Sequence, residues 1–189
     1  MPLKKTARAI VFLAALVLLS SGIAFAYDDG FGSAKKIEGK YFTIYYPSQL
    51  ESSVLIQKLN MGASDNLMAG KSAPYEVGLA DMLDTLFIRV SDILDMHIYS
   101  FHGTVKVCEN KAQLGRIYKD IVGRELNTVS FFVTDMNTIY IMPDSFKREV
   151  LGHEMSHSLM SRYFVVQPPE KIHELLAMYV EYQLRKGSQ

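Results

Sequence analysis

Apolar positions recur along the chain at two periods, and the switches between them divide it into elements. Leu79, Met82, Leu83, Leu86, Val90, Ile93 and Leu94 fall at spacings of three and four, which predicts a helix over 79–94 with one core-facing stripe. Leu114, Ile117, Tyr118 and Ile121 do the same within 110–122, and Lys111, Arg116, Lys119 and Arg124 form the solvated face. Ser52–Leu59 reads as a short helix, and 60–74, with its Gly, Pro, Ser, Asp and Asn, as loop. The aromatic and β-branched run Tyr41–Tyr46 reads as a strand that stops at Pro47. Thr104–Cys108 alternates, with Val105 and Val107 on one face. Val129–Thr134 and Thr138–Met142 are two more strands, joined through Asp135-Met136-Asn137 as a hairpin-like pair. Pro143-Asp144-Ser145 predicts a helix start, capped by Asp144 or Ser145 and running to about Phe164. Pro168-Pro169 opens a last helix, with Pro169 in the first turn, that ends near Gly187. This order predicts an α+β fold, a small mixed sheet with the helices segregated to one side.

The first 26 residues follow neither period. Lys4, Lys5 and Arg8 precede an unbroken apolar run from Ala9 to Leu19, and Ala24-Phe25-Ala26 has the small-x-small form of a cleavage site. Together these predict a secretory signal over 1–26 and a secreted or periplasmic product, with a membrane anchor over 9–26 as the alternative. Residues 27–40 then read as a flexible lead-in, and 41–189 as one domain. Removing the signal takes three cations and no acids from a chain with 20 of each, so the mature part carries net −3. That balance gives no reason to expect nucleic acid or anionic lipid as a partner, and membrane contact is expected only if the signal stays uncleaved. A single cysteine, Cys108, excludes an internal disulfide framework and reads as a small buried group.

One motif carries chemistry. His153-Glu154-Met155-Ser156-His157 is H-E-x-x-H inside a predicted helix. Residues i and i+4 share a helix face, so two imidazoles can converge on one ion. Glu154 is turned about 100° from His153, where it can reach a water at the ion rather than the ion itself. A catalytic zinc needs a third protein ligand and an open position. Glu174, separated from His157 by the 16 residues 158–173 and on the next helix, is the candidate third ligand, because a helix returning after a short turn lies beside the first. His173 and Glu170 compete for that role. Glu174 is preferred because Leu175, Leu176 and Ala177 follow it on the side expected to be buried. His97 and His102 read as satisfied loop histidines rather than a second metal site. Gly152, mid-helix before His153, points to close backbone packing beside the metal helix.

Val150–Gln183 resembles the gluzincin zinc peptidases of clan MA, and within them the small peptidase-MA-like domains of bacterial secreted proteins. Those carry H-E-x-x-H, a linker ending near Pro and a segment like N-E-G-L-A-E-Y; here Glu174, Leu176, Ala177 and Tyr179 match it. The resemblance implies a zincin-like fold, an active-site helix followed by a ligand-bearing helix, and one Zn2+ held by His153, His157 and Glu174, with Glu154 as general base. It departs at Met178, where the family often has an acid that orients a ligand histidine; Glu149 and Glu181 are the possible substitutes. Leu175 stands where the family usually has Gly, and the sequence ends about one helix after Glu174, which leads to the expectation that a second lobe is lacking.

The expected activity is hydrolysis of peptide bonds by a zinc-activated water, with a peptide or protein substrate extended along an edge strand within Val129–Met142. The chemically able donors for the oxyanion are Tyr163, Tyr179, Tyr182 and His173. The alternative is a zincin-fold scaffold or interaction module of the cell envelope that holds zinc without turnover, or holds it as a closed structural site.

Overall fold

A computed structural model describes residues 29, 31–32, 34–59 and 75–186. The expected signal segment and the loop at 60–74 lie outside the described residues. Among those described, no helix is long and apolar enough to cross a membrane.

Among the described residues, five strands form one mixed sheet in the order β1-β2-β3-β5-β4. They are β1 (Ala34–Glu38), β2 (Phe42–Pro47), β3 (Gly103–Val107), β4 (Ser130–Val133) and β5 (Thr138–Ile141). β2, β3 and β5 run parallel to one another, while β1 and β4 pair antiparallel at the two edges. The α-helices are α1 (Ser52–Leu59), α2 (Tyr75–Leu94), α3 (Lys111–Val122), α4 (Arg148–Tyr163) and α5 (Glu170–Lys186). A parallel pair needs a long crossover, and α1 and α2 supply it between β2 and β3. The fold class is α+β, as the order of elements predicts.

Strand alternation sorts the residues onto two faces. Ile44, Val105, Ile139 and Ile141 point into the main core with Leu79, Leu83, Leu86 and Val90 of α2, Leu151 and Met155 of α4, and Ala177 and Val180 of α5. Tyr140 and Phe131 point the other way, into a second cluster with Cys108, Leu114 and Ile117. α3 therefore lies on the opposite face, which corrects the expectation that all helices share one side. The physical reason is topological. β4 runs antiparallel to β5, so the β3–α3–β4 link is not a parallel crossover, and the apolar residues of the second face need a cover. Cys108 is fully buried in that cluster, and burial pushes its thiol up to about 12, so it is an inert packing group.

The lead-in expected over 27–40 is also corrected. Ala34–Glu38 pairs with Thr43–Pro47 as the edge strand β1, and its one buried residue, Ile37, joins the main core. Lys35, Lys36 and Glu38 charge a strand that, among the described residues, has a partner on one side only. Ahead of it, Asp29 accepts hydrogen bonds from the ammonium of Lys106 and the hydroxyl of Tyr140, and from the amide of Phe31 at 3.1 Å. Burial acts to raise the Asp29 pKa, but these donors and the nearby charge hold it below the ordinary 3.8. A carboxyl whose folded pKa is depressed stabilises the fold above its unfolded pKa and loses that contribution as pH falls through the folded value. Asp29→Asn should therefore cost about 3 kcal/mol near neutral pH by breaking a buried ion pair. The difference from wild type should narrow below the ordinary value of 3.8. Urea melts across that range measure it; a constant difference would mean that Asp29 acts by packing alone.

Candidate metal centre

α4 starts later than its sequence predicts. Pro143–Ser145 closes a separate 3-10 turn, Phe146 leaves helical geometry (φ −71°, ψ 71°), and the residue before α4 is Lys147, with no side-chain cap. Asp144 and Ser145 are thus not its caps. Fully buried Phe146 explains the break, since the chain must turn there to seat the ring in the main core. Arg148 then donates to the carbonyl of Leu184 at 3.1 Å and ties the start of α4 to the end of α5.

The two helices pack antiparallel at close range because Gly152 has no side chain. A Cβ there would stand 2.1 Å from Leu184 Cδ1 and 3.6 Å from Val180 Cγ1. With the helices held this close, His153 and His157, one turn apart on α4, face Glu174 on α5. Their Nε2 atoms lie 3.2 Å apart. Glu174 Oε2 is 3.6 Å from His153 Nε2, and Oε1 is 3.4 Å from His157 Nε2. One donor atom from each of the three residues falls within 4.8 Å of the others. A tetrahedral site with bonds of 2.0–2.1 Å has edges of about 3.4 Å, so these spacings fit a zinc-sized ion. The donor chemistry fits as well. Burial, with His153 and His173 nearby, lowers the His157 pKa to about 4 and keeps its imidazole neutral, the form that ligates.

The residues around this triad take assignable parts. Glu154 is buried, and its Oε1 accepts a hydrogen bond from Ser130 Oγ at 2.7 Å. Burial raises its pKa to about 7, the Ser130 hydrogen bond opposes the rise, and the charge of Glu174 adds to it. Glu181 lies 3.5 Å from His153 Nδ1, a buried atom that makes no hydrogen bond, and its other oxygen takes Arg185. Seven residues after Glu174, it returns to the same face of α5 two turns on, while Met178 is exposed to solvent. Of the two acids expected to stand in at Met178, Glu181 is the one beside His153; Glu149 lines a different hollow with Lys58 and Arg185. Glu181→Gln should weaken metal binding about 10- to 100-fold, the usual cost of losing a group that orients a ligand. Met178→Glu should leave it unchanged. Competition with a chromogenic chelator reads both, and equal affinities across the three proteins would remove Glu181 from the site.

A cleft of about 650 Å³ opens over the triad. Edge strand β4 borders it through Ser130, Phe131 and Phe132, α3 through Tyr118 and Val122, and the α4–α5 linker through Gln167 and Pro168. The hairpin is fixed above α4 by Asn137, which has a left-handed backbone (φ 45°). Asn137 donates to the carbonyl of His102 and accepts from Ser158 Oγ on α4, each at 2.8 Å. His173 lines the cleft with its ring stacked toward His157, centroids 6.2 Å apart, and Glu170 lines it too, but neither belongs to the converging triad. Tyr163, Tyr179 and Tyr182 are exposed and do not line it. Leu175, expected on the buried side, faces solvent. His97 and His102 are not brought together: His97 faces Asp92 and Asp95, and His102 bonds Thr43 and the carbonyl of Lys40.

Sequence reasoning missed Ser130 and Tyr118 as site residues. Ser130 opens a strand that reads only as apolar, and Tyr118 sits in an apolar stripe that reads as core. No family model, curated protein or solved structure matches the chain.

Proposed function

We propose that the protein is an exported, zinc-dependent metallopeptidase of the gluzincin type with a zincin-like fold. In this reading His153, His157 and Glu174 hold the metal and Glu154 is the general base. The observation that carries it is the convergence of three ligand atoms within 4.8 Å under a cleft that a buried glutamate also lines. Zinc, when bound, supplies Lewis acidity, bringing the pKa of water toward neutrality and polarising a carbonyl. The chain's own groups do the rest. Glu154, whose pKa burial raises to about 7, accepts a proton from the attacking water and returns it to the leaving amine. Ser130 holds that carboxyl toward the cleft. Of the donors able to meet an oxyanion, His173 and Tyr118 line the cleft. A peptide adds along the edge of β4 that has no partner among the described residues, with Val122, Phe132 and Pro168 offering apolar walls.

The test is metal analysis of the exported protein together with a peptide-library digest. One zinc per chain and cleavage that stops with a chelator and returns with zinc are expected. Cleavage indifferent to chelator, or a protein isolated without metal, would overturn the reading. Export itself predicts an N-terminus at Tyr27 by sequencing. An intact Met1 in the membrane fraction would make residues 9–26 an anchor instead.

A further inference from the structure

α5 has two apolar faces, and one of them is covered. Ala177, Val180 and Leu184 are buried in the main core. Ile172, Leu175, Met178, Tyr179 and Tyr182 are all exposed, from 41% at Ile172 to 61% at Leu175. At 3.6 residues per turn these five span an arc of about 120° opposite the buried stripe. Val165 and Val166, in the linker ahead of α5, are also exposed, 101% and 84%. An apolar run of this extent on a surface marks a contact with something else.

The charges of the same helix, the Arg185–Glu181 pair apart, are segregated. Glu170, Glu174 and Glu181, its three acids, fall within about 40° of one another on the cleft side. Lys171 and Lys186 fall along the exposed apolar arc, which contains no acid, and Arg185 lies beside it, paired with Glu181. The face is therefore apolar, tyrosine-bearing and basic, which selects an anionic and amphiphilic occupant. A second copy fits poorly. Parallel pairing stacks Lys171 on Lys171 and Lys186 on Lys186 and aligns two helix dipoles, and antiparallel pairing brings no acid of one copy to the lysines of the other, since the stripe contains none. A single helical ridge also gives a folded protein little to interdigitate with, but it can lie flat in the plane of a bilayer, where tyrosine favours the headgroup level.

We propose that the outer face of α5 docks on an anionic phospholipid bilayer. The apolar stripe enters the headgroup region, and Lys171 and Lys186 meet the phosphates, while Arg185 stays paired with Glu181. This binding is independent of the zinc chemistry. It sets the cleft beside the membrane rather than against it, because Glu174 lies about 100° round the helix from the middle of the stripe. The mature chain's net −3 hides the surface, since a whole-chain count averages over cations gathered on one helix face.

Vesicle flotation of the protein as its host exports it tests the proposal, with phosphatidylcholine vesicles against vesicles that also hold about 30% phosphatidylglycerol. The protein should float with the anionic vesicles only, and less as salt rises. Lys171→Glu/Lys186→Glu and, separately, Leu175→Ser/Tyr179→Ser should each weaken binding by about tenfold or more. Unchanged circular dichroism and zinc content in both variants attribute the loss to the surface and not to unfolding. Equal binding by wild type and both variants would overturn the proposal, and binding carried by residues 9–26 would look like this. So would equal binding to neutral vesicles, or none. A dimer in sedimentation velocity that Leu175→Ser/Tyr179→Ser dissociates would give the face to a second copy instead.

Discussion

Replacing His157 with alanine should strip the protein of stoichiometric zinc, and His153→Ala should do the same. Each histidine contributes one of two Nε2 atoms that stand 3.2 Å apart, and Glu174 faces both. With one imidazole gone, a nitrogen and a carboxylate remain, too few to compete for zinc against buffer and chelator. The loss should also appear as stability. A ligand that binds only the folded state adds RT ln(1 + [L]/Kd), about 4 kcal/mol at a thousandfold excess over Kd. The clean readout is the response to chelator, because alanine changes packing as well. Wild-type Tm should fall on adding EDTA, and the variants' Tm should stay where it was. Full zinc content in either variant, or a wild-type Tm that ignores chelator, would sink the ligand assignment and the proposed chemistry with it. Vesicle binding through α5 would survive that outcome, which keeps the two proposals separable.

What the sequence makes legible is what is local. The stripe from Leu79 to Leu94 repeats within a few residues, so its helix can be read directly, and Leu79, Met82, Leu83, Leu86 and Val90 are buried. The pairing of His153 with His157 is local in the same sense, since four residues on a helix fix the geometry. The antiparallel return of α5 is nearly local, because a short linker leaves the second helix few places to go, and it brings Glu174 back to both histidines. Ser130 is different. It meets Glu154 across 24 positions, and nothing in a strand of Ser, Phe, Phe and Val says which helix its first residue will face. Glu181 was one of two substitutes, undecided because the family pattern sets the orienting acid four residues after the ligand. Here the return is at seven, and only the close approach permitted by Gly152 shows that it reaches. The side taken by α3 depends on β4 being antiparallel, a property of pairing rather than of any one segment. Edge strand β1 is not legible because its alternation has one buried apolar residue, Ile37, among charges.

Glu154→Gln should leave zinc in place and reduce hydrolysis by about 10²- to 10⁴-fold, the range for losing a general base. Several observations favour the proposed role of Glu154 as the base over that of a fourth ligand. It sits one residue from His153, about 100° round the helix. It is not among the residues whose donor atoms converge. Its Oε1 is already engaged by Ser130 at 2.7 Å. Glutamine keeps the shape and can keep the Ser130 contact, since its carbonyl still accepts from the hydroxyl, but it has no site for the proton. The two possible errors separate on one sample. If zinc is lost, Glu154 is a ligand and the helical geometry has been misread. If zinc stays and the variant turns over substrate as fast as wild type, the proton goes elsewhere, and His173, which lines the same cleft, is the next group to replace. If zinc stays and wild type cleaves nothing in a broad peptide library, the site holds metal without turnover, and the scaffold reading replaces the peptidase. Ser130→Ala refines a positive result. It leaves the base and the ligands and removes only the group that orients Glu154, so its loss in kcat/KM should be smaller than that of Glu154→Gln, with zinc affinity again unchanged.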